Sequence, residues 1–251
     1  MVAPLAVQMY SIREALTADF ERSMHRLAAI GYMGVEPARA AYMNEGAETT
    51  LRLLKELKLS VPAIHSDLPL GDAKSRVIET AQRFGAKYII YPAGGRATFQ
   101  SLDAIYRLCD QLNEAASVAA PYNLHIAYHN HEFEAEPLHD SFGLAIMLSR
   151  LSPEVKIELD AYWLQVGGQD PAAFIAKHAD RIPLIHVKDG PVMRNQPNVA
   201  VGSGKLDYKA ILAASRADWL VVEFDQCASD MFDALDASFR YLTKEGFGHG
   251  R

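Results

Sequence analysis

Apolar stretches of strand length alternate with longer stretches of helical periodicity from one end of the chain to the other. In the helical stretches Leu, Ile, Ala and Phe recur at steps of three and four residues, whereas the strand candidates are short apolar runs. A strand followed by a helix, repeated in this way, predicts a parallel sheet with right-handed crossover connections. The strand candidates are Leu5–Tyr10, Gly34–Glu36, Val61–His65, Tyr88–Tyr91, Leu124–His129, Lys156–Asp160, Leu184–Val187 and Leu220–Phe224. The helical stretches include Asp19–Ile30, Thr49–Leu57, Ala73–Phe84, Leu102–Ala120 and Met231–Glu245.

Eight such units can close into a (β/α)8 barrel or form an open doubly wound sheet. The motif G-x-G-x-x-G, typical of the open sheet, does not follow the first strand candidate, and eight similar units favour closure. The 251 residues match the usual length of one barrel, and no linker-like or low-complexity segment divides them. We therefore expect an α/β fold in which residues 1–251 form a single (β/α)8 barrel domain, a TIM barrel.

The composition argues against several other classes of protein. The formal net charge is −6 and Lys and Arg form no cluster, so we expect no nucleic-acid partner. The two cysteines, Cys109 and Cys227, lack the C-x-x-C spacing of a zinc ribbon and do not indicate a disulfide framework. The N-terminal segment lacks the features of a signal peptide, and no window approaches about 18 uninterrupted apolar residues. We therefore expect a cytoplasmic protein without a membrane partner.

Polar side chains end most of the strand candidates. In a closed barrel the active site forms at the C-terminal ends of the strands, and Asp160, His186 and Glu223 end three consecutive candidates. A single residue of this kind is usually a cap or an ion-pair partner, but three at neighbouring strand ends face one pocket. Carboxylates mixed with imidazole suit Mn²⁺, Co²⁺, Zn²⁺, Fe²⁺ or Ni²⁺ better than Mg²⁺. The sequence therefore predicts one divalent metal ion that can bind two oxygens of a hydroxy-ketone.

Several motifs resemble the xylose isomerase-like barrel superfamily of sugar phosphate isomerases and epimerases. The resemblance covers nearly the whole chain, through VQMYSIRE, GYMGVEPA, AIHSDLP, YHNHEFEAE, VGSGKLDYKAIL and LVVEFDQC, and is most specific between Ile157 and Gly190. In that superfamily Glu, Asp, His and Glu from strands five to eight hold the metal, which implies Asp160, His186 and Glu223 as ligands. Strand five ends instead in YHNHEFE, which is similar to an H-N-H subgroup grouped with inosose dehydratase-like proteins.

The fourth ligand is where the chain departs from the family pattern. His129 lies closest to the expected Glu, and strand alternation puts His131 on the same side if the strand stays extended. We predict His129 as the ligand and His131 as an acid/base that contacts substrate, with the exchanged roles left open. One of the two can also merely orient the other. Glu134 is the remaining carboxylate, predicted to be catalytic or, alternatively, the fourth ligand.

Lys188 and the segment that follows it belong to the predicted site. Lys188 lies on the same face as His186 and is predicted to bind an oxyanion or a substrate carboxylate; an ion pair with Asp189 or Glu158 is the alternative. The segment Asp189–Lys205 is the longest without clear periodicity and contains Gly and Pro. Because it follows a strand end, we expect a functional loop at the catalytic face.

Further candidates would bind the substrate. Glu36 and His65 lie at strand ends from which they can bind hydroxyl groups. Trp163, together with Tyr10 and Tyr162, can supply the apolar face on which a sugar ring stacks, although such aromatics are equally compatible with the barrel core.

The expected activity follows from the metal and the resemblance. We expect a divalent-metal-dependent isomerase or epimerase that removes a proton next to the ketone of a keto-sugar or related polyol, forming an enediolate. Loss of a β-substituent from the enediolate would make the protein a lyase or dehydratase acting on a keto-cyclitol or 3-keto-glycoside. A non-catalytic sugar-binding barrel is a third hypothesis. Phosphodiester hydrolysis, the activity of endonuclease IV on this barrel, is disfavoured by the acidic charge. A homo-oligomer is compatible with the sequence, which contains no specific sign of one.

Overall fold

The structure, a computed structural model, describes residues 2–38, 46–92 and 94–251. Within them eight parallel strands, each followed by helical structure, form a nearly closed (β/α)8 barrel, which confirms the fold predicted from the sequence. The barrel strands are β1 (Ala3–Gln8), β2 (Gly34–Glu36), β3 (Ala63–His65), β4 (Tyr88–Tyr91), β5 (His125–His129), β6 (Lys156–Asp160), β7 (Leu184–Val187) and β8 (Trp219–Val222).

The helices of the described residues pack outside these strands, and their ends follow ordinary capping chemistry. In the second helix, for example, Asp19 accepts the backbone N–H of Arg22 at 3.0 Å, and Gly31 ends the helix with a φ of 114°. The helices are α1 (Arg13–Ala18), α2 (Phe20–Ile30), α3 (Gly46–Glu56), α4 (Lys74–Phe84), α5 (Leu102–Ala119), α6 (Gly143–Arg150), α7 (Ala161–Val166), α8 (Pro171–His178), α9 (Tyr208–Ala213) and α10 (Met231–Lys244). None of them is both long and apolar enough to cross a membrane.

The strand pairing that closes the barrel is regular between β8, β1 and β2 and weaker between β2 and β3. β1 pairs with β8 over three residues and also with β2, so the first and last strands are joined by a regular ladder. β2 and β3 are joined more weakly, through a bridge between Gly34 and Ser60 in which the N–H of Val35 donates to the Ser60 carbonyl at 2.9 Å. A Cβ on Gly34 would lie 2.7 Å from that carbonyl oxygen and 3.0 Å from the Trp219 ring. Glycine is therefore required at this seam.

The barrel interior changes from apolar to polar along the strands. A small apolar cluster, separate from the main core between strands and helices, fills the interior; it comprises Ala63, Tyr88, Ile90, Ala127 and Leu184, with Trp219 packed against it. Two residues beyond three of these positions stand His65, His129 and His186. Because side chains alternate between the two faces of a strand, the pattern that buries the apolar cluster also points these imidazoles inward at the C-terminal ends.

Strand ends differ from the sequence-based prediction where side chains or turns interrupt the ladder. The first strand was expected to reach Tyr10, but the Gln8 side chain accepts the Tyr10 N–H at 3.1 Å and starts a 3-10 turn over Met9–Ile12. The last barrel strand was expected to end at Phe224 and ends at Val222 instead. Glu223 therefore lies at the start of the loop that follows β8.

The loop after β7, predicted to be functional, is organised by one buried carboxylate. Asp189 accepts four backbone N–H groups, those of Gly190, Gly202, Gly204 and Leu206, at 2.9–3.2 Å. Hydrogen bonds to a charged acceptor are stronger than neutral ones, so this carboxylate holds both ends of the loop against the barrel.

A separate two-stranded hairpin and one terminal strand complete the sheet structure. Pro137–Leu138 pairs antiparallel with Ser141–Phe142 in the connection between β5 and α6. Gly248–His249 pairs with the start of β1, at the end of the barrel opposite the polar cluster. Neither element contributes a residue to the site described next.

Candidate functional site

A cavity of about 360 Å³ opens at the C-terminal end of the barrel, where the polar inward-facing residues lie. Tyr10 and Tyr91 form apolar parts of its wall. Its polar wall includes His65, His129, His131, Lys188, Glu223 and Asp225. A cavity of this size lies in the lower part of the range for small-molecule sites, about 300–1,000 Å³.

The four residues predicted as metal ligands lie together beside this cavity. We call His129, Asp160, His186 and Glu223 the outer set. Each offers a ligand atom, these atoms lie within 4.8 Å of one another, and all four residues are buried. The ends of β5, β6 and β7 supply the first three, and the loop after β8 supplies the fourth. Two imidazoles and two carboxylates suit a divalent transition metal ion.

A second group of ligand-type residues overlaps the first and lies against Glu36. We call His65, His129, Glu158 and His186 the inner set; their ligand atoms also lie within 4.8 Å of one another. Glu158 Oε2 is 2.8 Å from His65 Nε2 and 3.1 Å from His129 Nδ1. Glu36 Oε1 is 2.9 Å from His186 Nε2 and 2.9 Å from His65 Nε2. His65 therefore lies between two buried carboxylates.

Lys188 is the buried cation of the site. Its Nζ lies 3.0 Å from Asp160 Oδ2 and 2.8 Å from both Glu223 Oε2 and Asp225 Oδ2. Its ion pairs are therefore with these three carboxylates, rather than with Asp189 or Glu158 as the alternative prediction had it. Asp160 Oδ2 has this ion-pair contact but no hydrogen bond of good geometry among the described residues. Two carboxylates of the outer set thus already face a positive charge.

Burial and neighbouring charges shift the pKa values of these groups. Burial and the nearby imidazoles hold the pKa of His129 well below its ordinary value, so this ring is neutral, as a metal ligand must be. Burial alone would lower the pKa of His65, but the charges of Glu36 and Glu158 raise it from 6.5 to about 10. Burial raises the pKa of Asp160, and the charge of Lys188 offsets this only in part.

The family of the chain is settled by its sequence. The family model described as xylose isomerase-like TIM barrel matches residues 24–242, which is most of the chain. The chain belongs to this family. No curated protein sequence matches it closely enough to count as a relative.

Several solved structures are similar to the chain over nearly its whole length. A sugar phosphate isomerase/epimerase from Parabacteroides distasonis ATCC 8503 superimposes with a TM-score of 0.81 at 21% identity, covering 98% of this chain and 100% of its own. The probable 3-DHS dehydratase AsbF from Bacillus anthracis has a TM-score of 0.77 at 20% identity, covering 96% and 98%. The IolI protein, solved with a bound zinc atom, has a TM-score of 0.75 at 15% identity, covering 97% and 98%. The TM-scores show a shared fold, and at these low sequence identities the similarity shows the fold alone.

The end of β5 carries the predicted fourth ligand, His129, and the segment that follows it is held by hydrogen bonds. Asn130 accepts the backbone N–H of Asp160 at 2.9 Å and donates to its carbonyl at 3.2 Å, which ties the end of β5 to β6. His131 lines the cavity with its side chain one-third exposed. Glu134 is fully buried and accepts both the Tyr128 hydroxyl, at 2.5 Å, and the His131 backbone N–H, at 2.9 Å. Glu134 therefore holds the segment that carries His131.

Glu36 and Trp163, predicted to bind substrate, occupy enclosed positions. Glu36 is fully buried and also accepts the side-chain N–H of Gln8 at 2.5 Å. Trp163 is partly buried; its backbone N–H donates to Asp160 Oδ1 at 2.8 Å, and Lys188 Nζ lies 5.4 Å from its ring centroid. Neither residue lines the cavity. Glu36 contacts the predicted ligand His186, and Trp163 contacts Asp160 and Lys188.

Gln8, Glu158 and Asp225 take part in the site, although none of them was predicted as a ligand, a catalytic residue or a substrate-binding residue. The signal for Glu158 was present in the sequence, because it precedes Asp160 by two positions on one strand and must share its inward face. The same rule relates Asp225 to Glu223 only if the strand continues, whereas β8 ends at Val222. Gln8 had no sequence signal beyond its place at the end of β1.

Proposed function

We propose that this protein is a divalent-metal-dependent isomerase or epimerase that acts on a keto-sugar or a related polyol. The observation that carries the proposal is the outer set: two imidazoles and two carboxylates converge, buried, beside a cavity suited to a monosaccharide or cyclitol. Membership of the xylose isomerase-like family and the structural similarity to sugar isomerase/epimerase barrels support it. The cavity wall combines hydroxyl-binding groups with aromatic rings, as sugar sites do.

One ion would be held by His129, Asp160, His186 and Glu223, with His129 at the position where the family pattern has Glu. The donor set fits Mn²⁺, Co²⁺, Zn²⁺, Fe²⁺ or Ni²⁺ better than Mg²⁺. When bound, such an ion would supply Lewis-acid polarisation of a ketone oxygen. The burial of all four side chains and the neutral state of His129 support this assignment.

The remaining residues would bind substrate and move its protons. His131, exposed to the cavity, would be the acid/base that takes a proton from the carbon next to the ketone and returns it to the resulting enediolate. Glu134 would support it by holding its backbone. His65 would donate to a substrate hydroxyl, and Lys188, near Asp225 at the cavity wall, would bind a developing oxyanion.

A lyase or dehydratase acting on a keto-cyclitol or 3-keto-glycoside is the second candidate, because the site is rich in imidazole. His131 and His129 lie with ring centroids 5.1 Å apart, and both line the cavity. An imidazole placed beside the enediolate can equally protonate a departing hydroxyl or alkoxide group. The solved barrels with the same fold include a probable dehydratase as well as an isomerase/epimerase, so the fold accommodates both outcomes.

Metal analysis and solvent exchange test the proposal together. Protein purified without chelator should contain one equivalent of a divalent transition metal, and Asp160→Asn should lose it. Asp103→Asn, the same change at an exposed position of α5, should retain it. The loaded protein is then incubated in D₂O with keto-sugars, keto-glycosides and inososes. Deuterium uptake without elimination supports the isomerase or epimerase, and an unsaturated product supports the lyase. Sugar binding that is unaffected by Asp160→Asn, with no bound metal and no exchange, would instead support a non-catalytic sugar-binding barrel.

A further inference from the structure

Two fully buried carboxylates, Glu36 and Glu158, lie behind the predicted metal ligands. We call them the inner carboxylate pair. Glu158 Oε2 forms a hydrogen bond with His129 Nδ1 at 3.1 Å, and Glu36 Oε1 forms one with His186 Nε2 at 2.9 Å. His65 bridges the pair, with its Nε2 2.8 Å from Glu158 Oε2 and 2.9 Å from Glu36 Oε1. Glu158 Oε2 also lies 3.2 Å from His186 Nε2, so Glu158 contacts both predicted imidazole ligands and Glu36 contacts His186.

These contacts identify which nitrogen of each imidazole carries the proton. An ionised carboxylate only accepts, so a ring nitrogen that faces it is an N–H, and in a neutral ring the opposite nitrogen keeps its lone pair. In His129 the protonated nitrogen is Nδ1, which leaves Nε2 free. Both nitrogens of His186 face carboxylates, Nε2 that of Glu36 and Nδ1 that of Glu223, whose Oε2 lies 2.8 Å away. Because Glu223 belongs to the outer set, Nδ1 is the nitrogen that would give up its proton to a metal ion there, while Nε2 would stay the N–H toward Glu36.

We propose that the inner carboxylate pair positions both imidazole ligands, so that a metal ion in the outer set is bound through His129 Nε2 and His186 Nδ1. This inference rests on the proposed metal site and assigns Glu36 and Glu158 as positioning residues. A carboxylate that orients a ligating His typically contributes 10- to 100-fold in metal affinity, because it fixes the ring and its tautomer.

The strand geometry explains how a single barrel supplies ligands and positioning residues in two layers. Glu158 and Asp160 share the inward face of β6, and the two-residue step moves Glu158 one layer deeper. Glu36 ends β2, across the barrel from β6, and Gln8 of β1 donates to it at 2.5 Å. Glu36 Oε2 and Glu158 Oε1 have no hydrogen-bond partner among the described residues, so each carboxylate acts mainly through one oxygen.

The primary test reads the tautomers directly in the zinc-loaded wild-type protein. Long-range ¹H–¹⁵N correlation spectra of the histidine rings identify the metal-bound nitrogen and the protonated nitrogen of each ligand. We expect His129 to be bound through Nε2 and His186 through Nδ1. Binding of His129 through Nδ1 would place the metal in the inner set and overturn the inference.

Two variants test the energetic role. Glu158→Gln and Glu36→Gln keep the side-chain shape but lose the charge, and each should weaken zinc binding 10- to 100-fold in competition with a chelator. In the same spectra Glu158→Gln should broaden or shift both His129 and His186, and Glu36→Gln chiefly His186. The control Glu154→Gln, the same change at an exposed position just before β6, should bind zinc as the wild type does.

The outcomes separate this inference from the proposed function. Wild-type protein that binds no metal would overturn both. Wild-type protein that binds zinc with the expected tautomers, and variants that bind it less tightly, would support both. Zinc affinities of the two variants within twofold of the wild type would refute the positioning role and leave the metal site standing.

Discussion

Lys188 would compete with a metal ion in the outer set for the same carboxylates, and its replacement by Met should therefore affect the metal-free and metal-loaded proteins differently. Lys188 Nζ lies 2.8–3.0 Å from Asp160, Glu223 and Asp225, and the side chain is only 1% exposed. Removing one partner of a buried ion pair costs about 3–5 kcal/mol, because the other charges stay buried without compensation. We expect Lys188→Met to destabilise the metal-free protein by this amount.

In the metal-loaded protein the ion would compensate Asp160 and Glu223, and the substitution would break only the contact with Asp225. That carboxylate is 38% exposed, so its ion pair contributes about 1 kcal/mol or less. The two costs differ by about 2–4 kcal/mol, and by the thermodynamic cycle this difference must appear in the binding of the metal. At about 1.4 kcal/mol per factor of ten, the variant should bind metal about 30- to 700-fold more tightly.

Urea unfolding with and without saturating metal gives both stabilities, and chelator competition gives the metal affinity. Lys209→Met, the same change at an exposed position of α9, is the matched control and should leave all three quantities unchanged. An unaltered stability of metal-free Lys188→Met would show that Lys188 does not balance these carboxylates, and would refute the competition. Weaker metal binding by the variant than by the wild type would refute it too, since Lys188 would then support the metal site and not compete for its carboxylates.

Three further predictions concern the loop, the inner histidine and the thiols. Asp189→Ala removes the acceptor of four backbone N–H groups, so it should cost about 3 kcal/mol or more and expose residues 190–206 to limited proteolysis; an unchanged cleavage pattern would contradict this. In metal-free protein the raised pKa of His65, about 10, stabilises the fold fully below pH 6.5, and this contribution is lost as the pH rises toward 10. The stability difference between wild type and His65→Gln, measured by urea unfolding, should therefore shrink between pH 6 and 9.5 and not stay constant. Cys227 should react with a thiol reagent in the native protein, whereas Cys109, whose thiol pKa is raised by burial to about 12, should react only on unfolding; equal native rates would contradict this.

The fold and the convergence of the predicted ligands followed from local patterns. Each strand–helix unit is visible in the sequence, and parallel strands in a closed barrel bring their C-terminal ends together whatever the helices contain. Asp160, His186 and Glu223 could therefore be predicted as neighbours although up to 63 positions separate them in the sequence. Their adjacency required only the order of the strands.

The inner part of the site depended on depth within the barrel, which a strand pattern does not specify. Glu36 reaches His186, 150 positions away, because both side chains extend to the same layer of the barrel interior from different strands. Strand ends were equally hard to predict, since side chains terminate them: Asn130 binds the backbone of Asp160 at the point where β5 stops. His131 therefore leaves the regular alternation that would have given its direction.

Charge balance explains why such a site needs a cation. Glu36, Glu158, Asp160 and Glu223 are all buried, and Lys188 and His65 are two cations that lie against them. Four negative charges against two positive ones leave a deficit of two in a medium where an uncompensated charge costs several kcal/mol. In the metal-free protein a proton on His186 fills part of this deficit, since the carboxylates raise the pKa of His186 well above its ordinary value despite burial. A divalent ion in the outer set would replace that proton and balance the charge in full. Metal binding to this barrel should therefore release protons, and its affinity should rise with pH.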